Sequence, residues 1–152
     1  MIDLNIETGN HRLNIRSAAI VTVGNQLLLN KQKAENHWYL PGGRVKAGES
    51  SKDALSRELF EELGLRLEIG DFLFVCENFF SIGSQPVHEI GFYFKVDLQE
   101  DIAEKALSFS DDKTIFQWHE ISRLSNIAVK PEFLKSILSN SNQNLKSYYC
   151  VL

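Results

Sequence analysis

Gly43-Arg44-Val45-Lys46-Ala47-Gly48-Glu49-Ser50-Ser51-Lys52-Asp53-Ala54-Leu55-Ser56-Arg57-Glu58-Leu59-Phe60-Glu61-Glu62-Leu63-Gly64-Leu65 is the stretch that decides the fold. Its second half is predicted to be a helix. Ser50 suits the N-cap, and Asp53 three residues on completes an S-x-x-D capping box. Strong helix formers follow without a proline, and Gly64 supplies the C-terminal stop. At about 100° per residue, Leu55, Leu59, Phe60 and Leu63 make a broad apolar stripe predicted to face a core. Glu58, Glu61 and Glu62 stand at i, i+3 and i+4, so their carboxylates share a neighbouring face.

Like charges at this spacing repel by roughly 0.2–0.5 kcal/mol per exposed pair. At ~5 Å in surroundings of effective dielectric near 20, each pair costs about 3 kcal/mol. A hard divalent cation relieves that repulsion and prefers oxygen ligands. Taken alone, E-x-x-E-E also fits a solvated acidic face.

The wider pattern separates these readings. Gly43, five residues, Glu49, seven residues, then Arg57 to Leu65 resembles the Nudix box at every specified position. Upstream, Trp38-Tyr39-Leu40-Pro41-Gly42-Gly43 matches the Trp-x-Leu-Pro-Gly-Gly lead-in common in that family. The Pro-Gly-Gly run is itself a turn signal, and its glycines let backbone approach a ligand closely.

Outward from the box, the 152 residues make one ordinary domain, with 43% apolar residues for a single core. The expected core covers about 13–138, and the Ser/Asn-rich tail at 139–152 is expected to be mobile. Strands are predicted at 13–23, 26–29, 66–69, 72–80, 90–96 and 114–118. Residues 81–87 read as a loop, and the strand at 90–96 as half-buried with a polar second face. A helical turn is expected at 121–124. Pro131 is placed at N1 of a closing helix that runs through Leu138. The order of elements suggests a mixed sheet between helices. The resemblance narrows this to an α/β fold, the Nudix-type α/β/α sandwich around a central mixed β-sheet.

A net charge of −4 and no Lys/Arg run argue against a polymeric nucleic-acid partner. A small phosphorylated substrate remains compatible, and a homodimer stays open. The amino terminus lacks the pattern of a signal peptide, and no segment approaches the ~18 apolar residues of a membrane span. Cys76 and Cys150 read as free thiols of a reducing compartment. The expected location is the cytoplasm, with no membrane partner.

The resemblance implies a hydrolase that cleaves a diphosphate linkage in a nucleoside diphosphate joined to another group, using Mg²⁺ or Mn²⁺. Carried onto this chain, Glu58 and Glu62 are metal ligands, Glu61 is a third or water-mediated one, and the Gly42 carbonyl joins them. Arg57 and Glu49 form an orienting pair, since a guanidinium can fork two carboxylate oxygens. The general base is Glu61 or Glu58, with Glu89, Glu104, Asp111 and Asp112 as candidates outside the box.

Arg44, Lys33 and Trp38 are the candidate substrate contacts. Lys31, Phe79, Phe80, Tyr93, His88 and His37 are residues whose ordinary structural roles compete with such a function. Neither the proline of ADP-ribose hydrolases nor the tyrosine of diadenosine-polyphosphate hydrolases occurs between Arg66 and Gln85, so the substrate is unassigned. The alternatives are a non-catalytic nucleotide-binding or regulatory module on the same fold, whose members usually lose box carboxylates, and an isomerase. An isomerase needs an additional cysteine that Cys76 does not obviously supply.

Overall fold

The run of small and β-branched residues before the box forms β2 (His11–Val23), the strand on which the amino-terminal half is assembled. The computed structural model describes residues 1–99, 102–104, 113–139 and 148–151. One edge of β2 pairs in parallel with β6 (Gln85–Asp97), from Arg12 opposite Val87 to Thr22 opposite Asp97. Its other edge is shared by three antiparallel strands: β1 (Asn5–Thr8), β4 (Gly42–Arg44) and β3 (Gln26–Gln32). β3 meets β2 only at Thr22–Leu27 and Val23–Gln26, then diverges to pair along its length with β7 (Thr114–Glu120). β5 (Phe72–Ile82) and β8 (Tyr148–Val151) complete a mixed sheet of order β7-β3-β2-β6-β5-β8.

Successive residues of a strand face opposite sides, and both sides of this sheet are covered. Ala19 and Val21 of β2, with Leu28, Phe94 and Val96, pack against Leu55, Leu59 and Leu63 of α1 (Ser51–Leu63). Ala18 and Ile20, with Leu27, Leu29, Phe74 and Tyr93, pack against Leu124 and Leu134. Those two leucines come from a 3-10 helix (Ile121–Asn126) and from α2 (Phe133–Ser139). The result is the α/β/α sandwich. Among the described residues no helix is long and apolar enough to cross a membrane.

α1 begins and ends where its residues dictate. The Ser50 hydroxyl oxygen accepts from the Asp53 N–H at 3.1 Å and donates to the Asp53 carboxylate at 2.6 Å. Gly64 adopts φ +62° and closes the helix with its N–H on the Phe60 carbonyl. The three fully buried leucines contribute roughly 1.5–3 kcal/mol each. Phe60 departs from the expected stripe: it is 46% exposed, with the Arg66 guanidinium over its ring at 5.0 Å. The buried contact runs along the i, i+4 line of Leu55, Leu59 and Leu63, and Phe60 lies one step round the helix from it.

Other expectations also change. Residues 66–69 form no strand. The segment predicted as a loop at 81–87 is a tight hairpin, with only Gly83 and Ser84 between β5 and β6. Most of the supposed polar face of β6 is buried under the second helical layer, where Tyr93 joins the core and Glu89 is 8% exposed, while Lys95 at its end stays exposed. Pro131 precedes α2 by two residues, and its carbonyl accepts from the Leu134 N–H. Of the tail expected to be mobile, Ser139 ends α2 and Tyr148–Val151 pairs in parallel with β5, while residues 140–147 and 152 lie outside the described residues.

Candidate active site

Because β3 leaves β2 after two pairs, a cavity of about 490 Å³ opens between them, flanked by β4 and α1. It is lined among others by Gly42, Glu61 and Glu62, by Arg16 from β2, and by Asn30 and Lys31 from β3. Of the box carboxylates, Glu61 and Glu62 line it.

Arg57 is the organiser. Its Nε and Nη2 fork Glu49 at 3.2 and 2.6 Å, and Nη2 also donates to the Arg44 carbonyl at 3.0 Å. Nη1 donates to Glu58 at 2.6 Å and Glu61 at 3.3 Å. A guanidinium has five N–H donors, and each has a partner here. The Arg57 hydrogen bonds hold the Glu49 carboxyl below its ordinary range, aided by the Lys46 N–H at 2.7 Å. Glu49, chiefly, and Glu58 raise the Arg57 pKa. Arg57 and Glu49 are thus paired, and the contacts of Arg57 extend to two more carboxylates.

Glu62 is placed differently. Its Oε2 accepts from the Gly42 N–H at 2.9 Å and its Oε1 from Asn30 Nδ2 at 3.4 Å. Burial pushes its pKa up from 4.5 to about 7, opposed by the Gly42 N–H and Arg16 and reinforced by the charges of Glu58 and Glu61. Gly43 makes room for the neighbouring acid, since a Cβ there would stand 2.3 Å from the Glu58 carboxylate. Gly42 has φ +130°, and a side chain on it would meet the Ser17 carbonyl of β2 at 2.3 Å. The two glycines thus seat β4 and Glu58 together.

The three helix carboxylates go to separate partners. Arg57 draws Glu58 and Glu61, while Gly42 and Asn30 hold Glu62. Among the described residues no group of three His, Cys, Asp or Glu side chains is positioned to hold a metal ion. The Gly42 carbonyl, expected as a ligand, accepts from Arg16 Nη2 at 2.9 Å; the same nitrogen reaches the Leu40 carbonyl at 3.1 Å.

The predicted substrate contacts divide. Arg44 lines a second cavity, donates from Nε to Asn14 Oδ1 at 3.2 Å and pairs with Asp3 at 3.6 Å. Lys33 is exposed just beyond β3, bonded through its backbone N–H to the Lys113 carbonyl, and lines neither cavity. Lys31 does line the first one, with its ammonium 5.0 Å from the ring centre of Trp38. Trp38 is itself core, packed edge-on against His119 at 4.4 Å.

Of the candidate bases outside the box, Glu89 lines the second cavity, Glu104 is exposed, and Asp111 and Asp112 lie outside the described residues. His88 pairs with Glu77 at 3.0 Å and stacks on Phe79. Sequence reading missed Arg16, Tyr39, Asn14 and Asn30. The only available signal was polarity in the wrong place, Asn14 and Arg16 on either side of Ile15 just before the apolar run at 18–21 of the same strand.

The second cavity, about 730 Å³, lies on the α2 side of the sheet and shares Arg16, Glu35 and Tyr39 with the first.

Comparison with known proteins agrees with this fold. The family model of the NUDIX domain matches residues 13–139, and the chain belongs to that family. An RNA pyrophosphohydrolase of Ruthia magnifica is 41% identical over 63 residues, covering 41% of this chain and 35% of that protein. The Bacillus subtilis protein named uncharacterized Nudix hydrolase YvcI is 26% identical over 117 residues, covering 74% of this chain and 69% of its own length. The chain spans about a third or less of the length of the first curated relatives it matches. Among solved structures, the mutator MutT protein of Bacillus halodurans superposes with a TM-score of 0.68 at 18% identity, covering 90% of this chain and 86% of that one. That likeness concerns the fold.

Proposed function

We propose that this chain is a metal-dependent hydrolase that cleaves the diphosphate linkage of a nucleoside diphosphate joined to another group. The observation that carries the reading is the Arg57 clamp. One guanidinium spends every donor on Glu49, Glu58, Glu61 and a backbone carbonyl, and so holds an acidic cluster rigid beside a cavity. A solvated acidic face has no use for such order.

The donor set fits a hard divalent cation. Glu58, Glu61 and Glu62 offer only carboxylate oxygens, and Glu62 is a buried acid that forms no ion pair among the described residues. Turned from their present partners toward one point, these three residues would hold Mg²⁺ or Mn²⁺, which would supply charge neutralisation at the diphosphate and a more acidic water. Arg16 and Lys31 present positive charge to the same cavity and bind the phosphates. Glu61 is the most open of the carboxylates that Arg57 holds; with Oε2 on Arg57, its Oε1 is left to take a proton from an attacking water. Arg57 and Glu49 keep Glu58 and Glu61 in place.

The test is hydrolysis of a panel of nucleoside triphosphates and nucleoside-diphosphate conjugates with Mg²⁺ or Mn²⁺, reading phosphate-containing products. Turnover should vanish with excess EDTA and return with added cation. Undiminished hydrolysis in EDTA would overturn the metal-dependent reading.

A further inference from the structure

Glu89 is a buried acid that the proposed hydrolysis does not use. It lies on β6 two residues before Gly91 and four before Tyr93, facing the α2 side of the sheet, and is 8% exposed. Its Oε2 accepts from Asn14 Nδ2 at 2.6 Å, directly across the β2–β6 pairing. Asn14 is equally buried, and its Oδ1 is taken by Arg44 Nε. With a carboxylate on one side and a guanidinium on the other, the Asn14 amide has a single orientation, and it fixes the Glu89 rotamer. Oε1 of Glu89 has no hydrogen-bond partner among the described residues, and Glu89 lines the second cavity. The remaining wall there is aromatic: Phe79, Phe80, Tyr93 and Phe133. Tyr93 is set back against β6 because Gly91 has no side chain; a Cβ there would stand 2.8 Å from its ring.

An aromatic wall takes a planar ring by stacking, and a fixed carboxylate in that wall accepts hydrogen bonds and donates none. Adenine offers a carboxylate one amino group beside an acceptor, and uracil one N–H between two carbonyls. Guanine offers two adjacent donors, N1–H and N2–H, which match a carboxylate edge: one donates to the open Oε1, the other to the second lone pair of Oε2 beside the Asn14 bond. We propose that Glu89 is a specificity-determining residue that selects a base with two adjacent N–H donors, as guanine has, in the aromatic cavity behind the phosphate site. The proposal rests on the hydrolase reading only for the placement of the phosphates; Arg16 and Tyr39 line both cavities, so one nucleotide can occupy both.

Binding tests this apart from turnover. Calorimetry on the full chain with Mg²⁺ should give GMP an affinity about tenfold or more above AMP, the scale of one hydrogen bond to a charged group. IMP, which lacks the 2-amino group, should fall between them, and 1-methyl-GMP should bind no better than AMP. Glu89→Gln should reduce the GMP-to-AMP ratio below about threefold, by removing that acceptor edge. Equal affinity for GMP, 1-methyl-GMP and AMP, or no binding of any of them, overturns the proposal without recourse to a variant. A folded Glu89→Gln protein that keeps the full ratio overturns it as well. Selective binding without hydrolysis of any nucleotide would sink the hydrolase reading and leave this site standing; hydrolysis without base preference would do the reverse.

Discussion

The cavity beside α1 and the cavity under α2 share Arg16, Glu35 and Tyr39 but are built by different means. The first draws its acids from one helix and its clamp from the same helix, at spacings fixed by 3.6 residues per turn. Its Glu58, Glu61 and Glu62 repel, and much of its hydrogen bonding restrains that repulsion. The second is assembled across strands, with Asn14 and Glu89 brought together from 75 residues apart. Its single buried acid is steadied by an amide, and its walls are aromatic. The first is suited to charge that develops or is displaced, the second to shape and hydrogen-bond pattern. A change in one should therefore leave the other's property intact.

Glu62→Gln tests this division most severely. The side chain is nearly isosteric, but the charge at the deepest carboxylate is lost. Turnover should fall by at least ~100-fold if Glu62 is a direct ligand, since loss of even an outer partner costs about 10–100-fold. The affinity for GMP relative to AMP in the second cavity should not move.

Stability should respond in the opposite direction. In the folded chain Glu62 titrates at about 7 against an ordinary 4.5, so between those values the folded state holds a proton that the unfolded state has released. Metal-free stability therefore falls as pH rises from about 4.5 to about 7 and stays low above it, by about 3 kcal/mol. The Gln variant, melted in EDTA at pH 5 and pH 8, should be more stable than the parent at pH 8 and show a flatter profile. A variant with full turnover, or one that melts far lower at pH 8, would make Glu62 a structural residue.

Arg57→Lys should act less severely. The charge remains, but three flexible donors replace a planar set of five and cannot reproduce the fork on Glu49 together with the bonds to Glu58 and Glu61. A loss of about 10–100-fold in kcat is expected with the melting temperature nearly kept, as for removal of a partner that orients metal ligands. Matching kinetics for the two proteins would mean that the clamp orders nothing that matters to the reaction.

The two cavities also differ in how far the sequence revealed them. Arg57, Glu58, Glu61 and Glu62 were legible because a helix turns linear spacing into a face; Glu49, ahead of the helix, and the roles expected of all five came from the Nudix resemblance. Even there the placement was only half readable. Nothing in the spacing says that Arg57 reaches both Glu58 and Glu61, or that Arg16, 26 residues before Gly42, donates to its carbonyl. The second cavity was close to illegible. Glu89 and Tyr93 read as a polar strand face, because period-two alternation cannot tell solvent from a second packed layer. The α/β/α layering came from the resemblance and not from periodicity. Lys33 and Trp38 were chosen by residue type alone; strand β3 extends past Lys31, which brings Lys31 to the cavity and leaves Lys33 outside it.

Tyr39→Phe probes the wall between the cavities and should have the smallest effect. Burial, then the charge and hydrogen bonding of Glu35, raise the Tyr39 pKa, while Arg16 acts against them. The phenol is therefore neutral across the working pH range and interacts with Glu35 as a donor. Removing one such hydrogen bond at a partly buried site costs about 1 kcal/mol or less, because water can serve the carboxylate that is left. If the wall only separates and supports, KM should rise by no more than about fivefold, with kcat and the GMP-to-AMP ratio both unchanged. Steady-state kinetics on the preferred substrate, together with the two-ligand calorimetry, give all three numbers. A tenfold fall in kcat would place Tyr39 within the catalytic apparatus. A collapse of base selectivity would show that the two cavities depend on each other through this wall, and the division of labour drawn between them would fail.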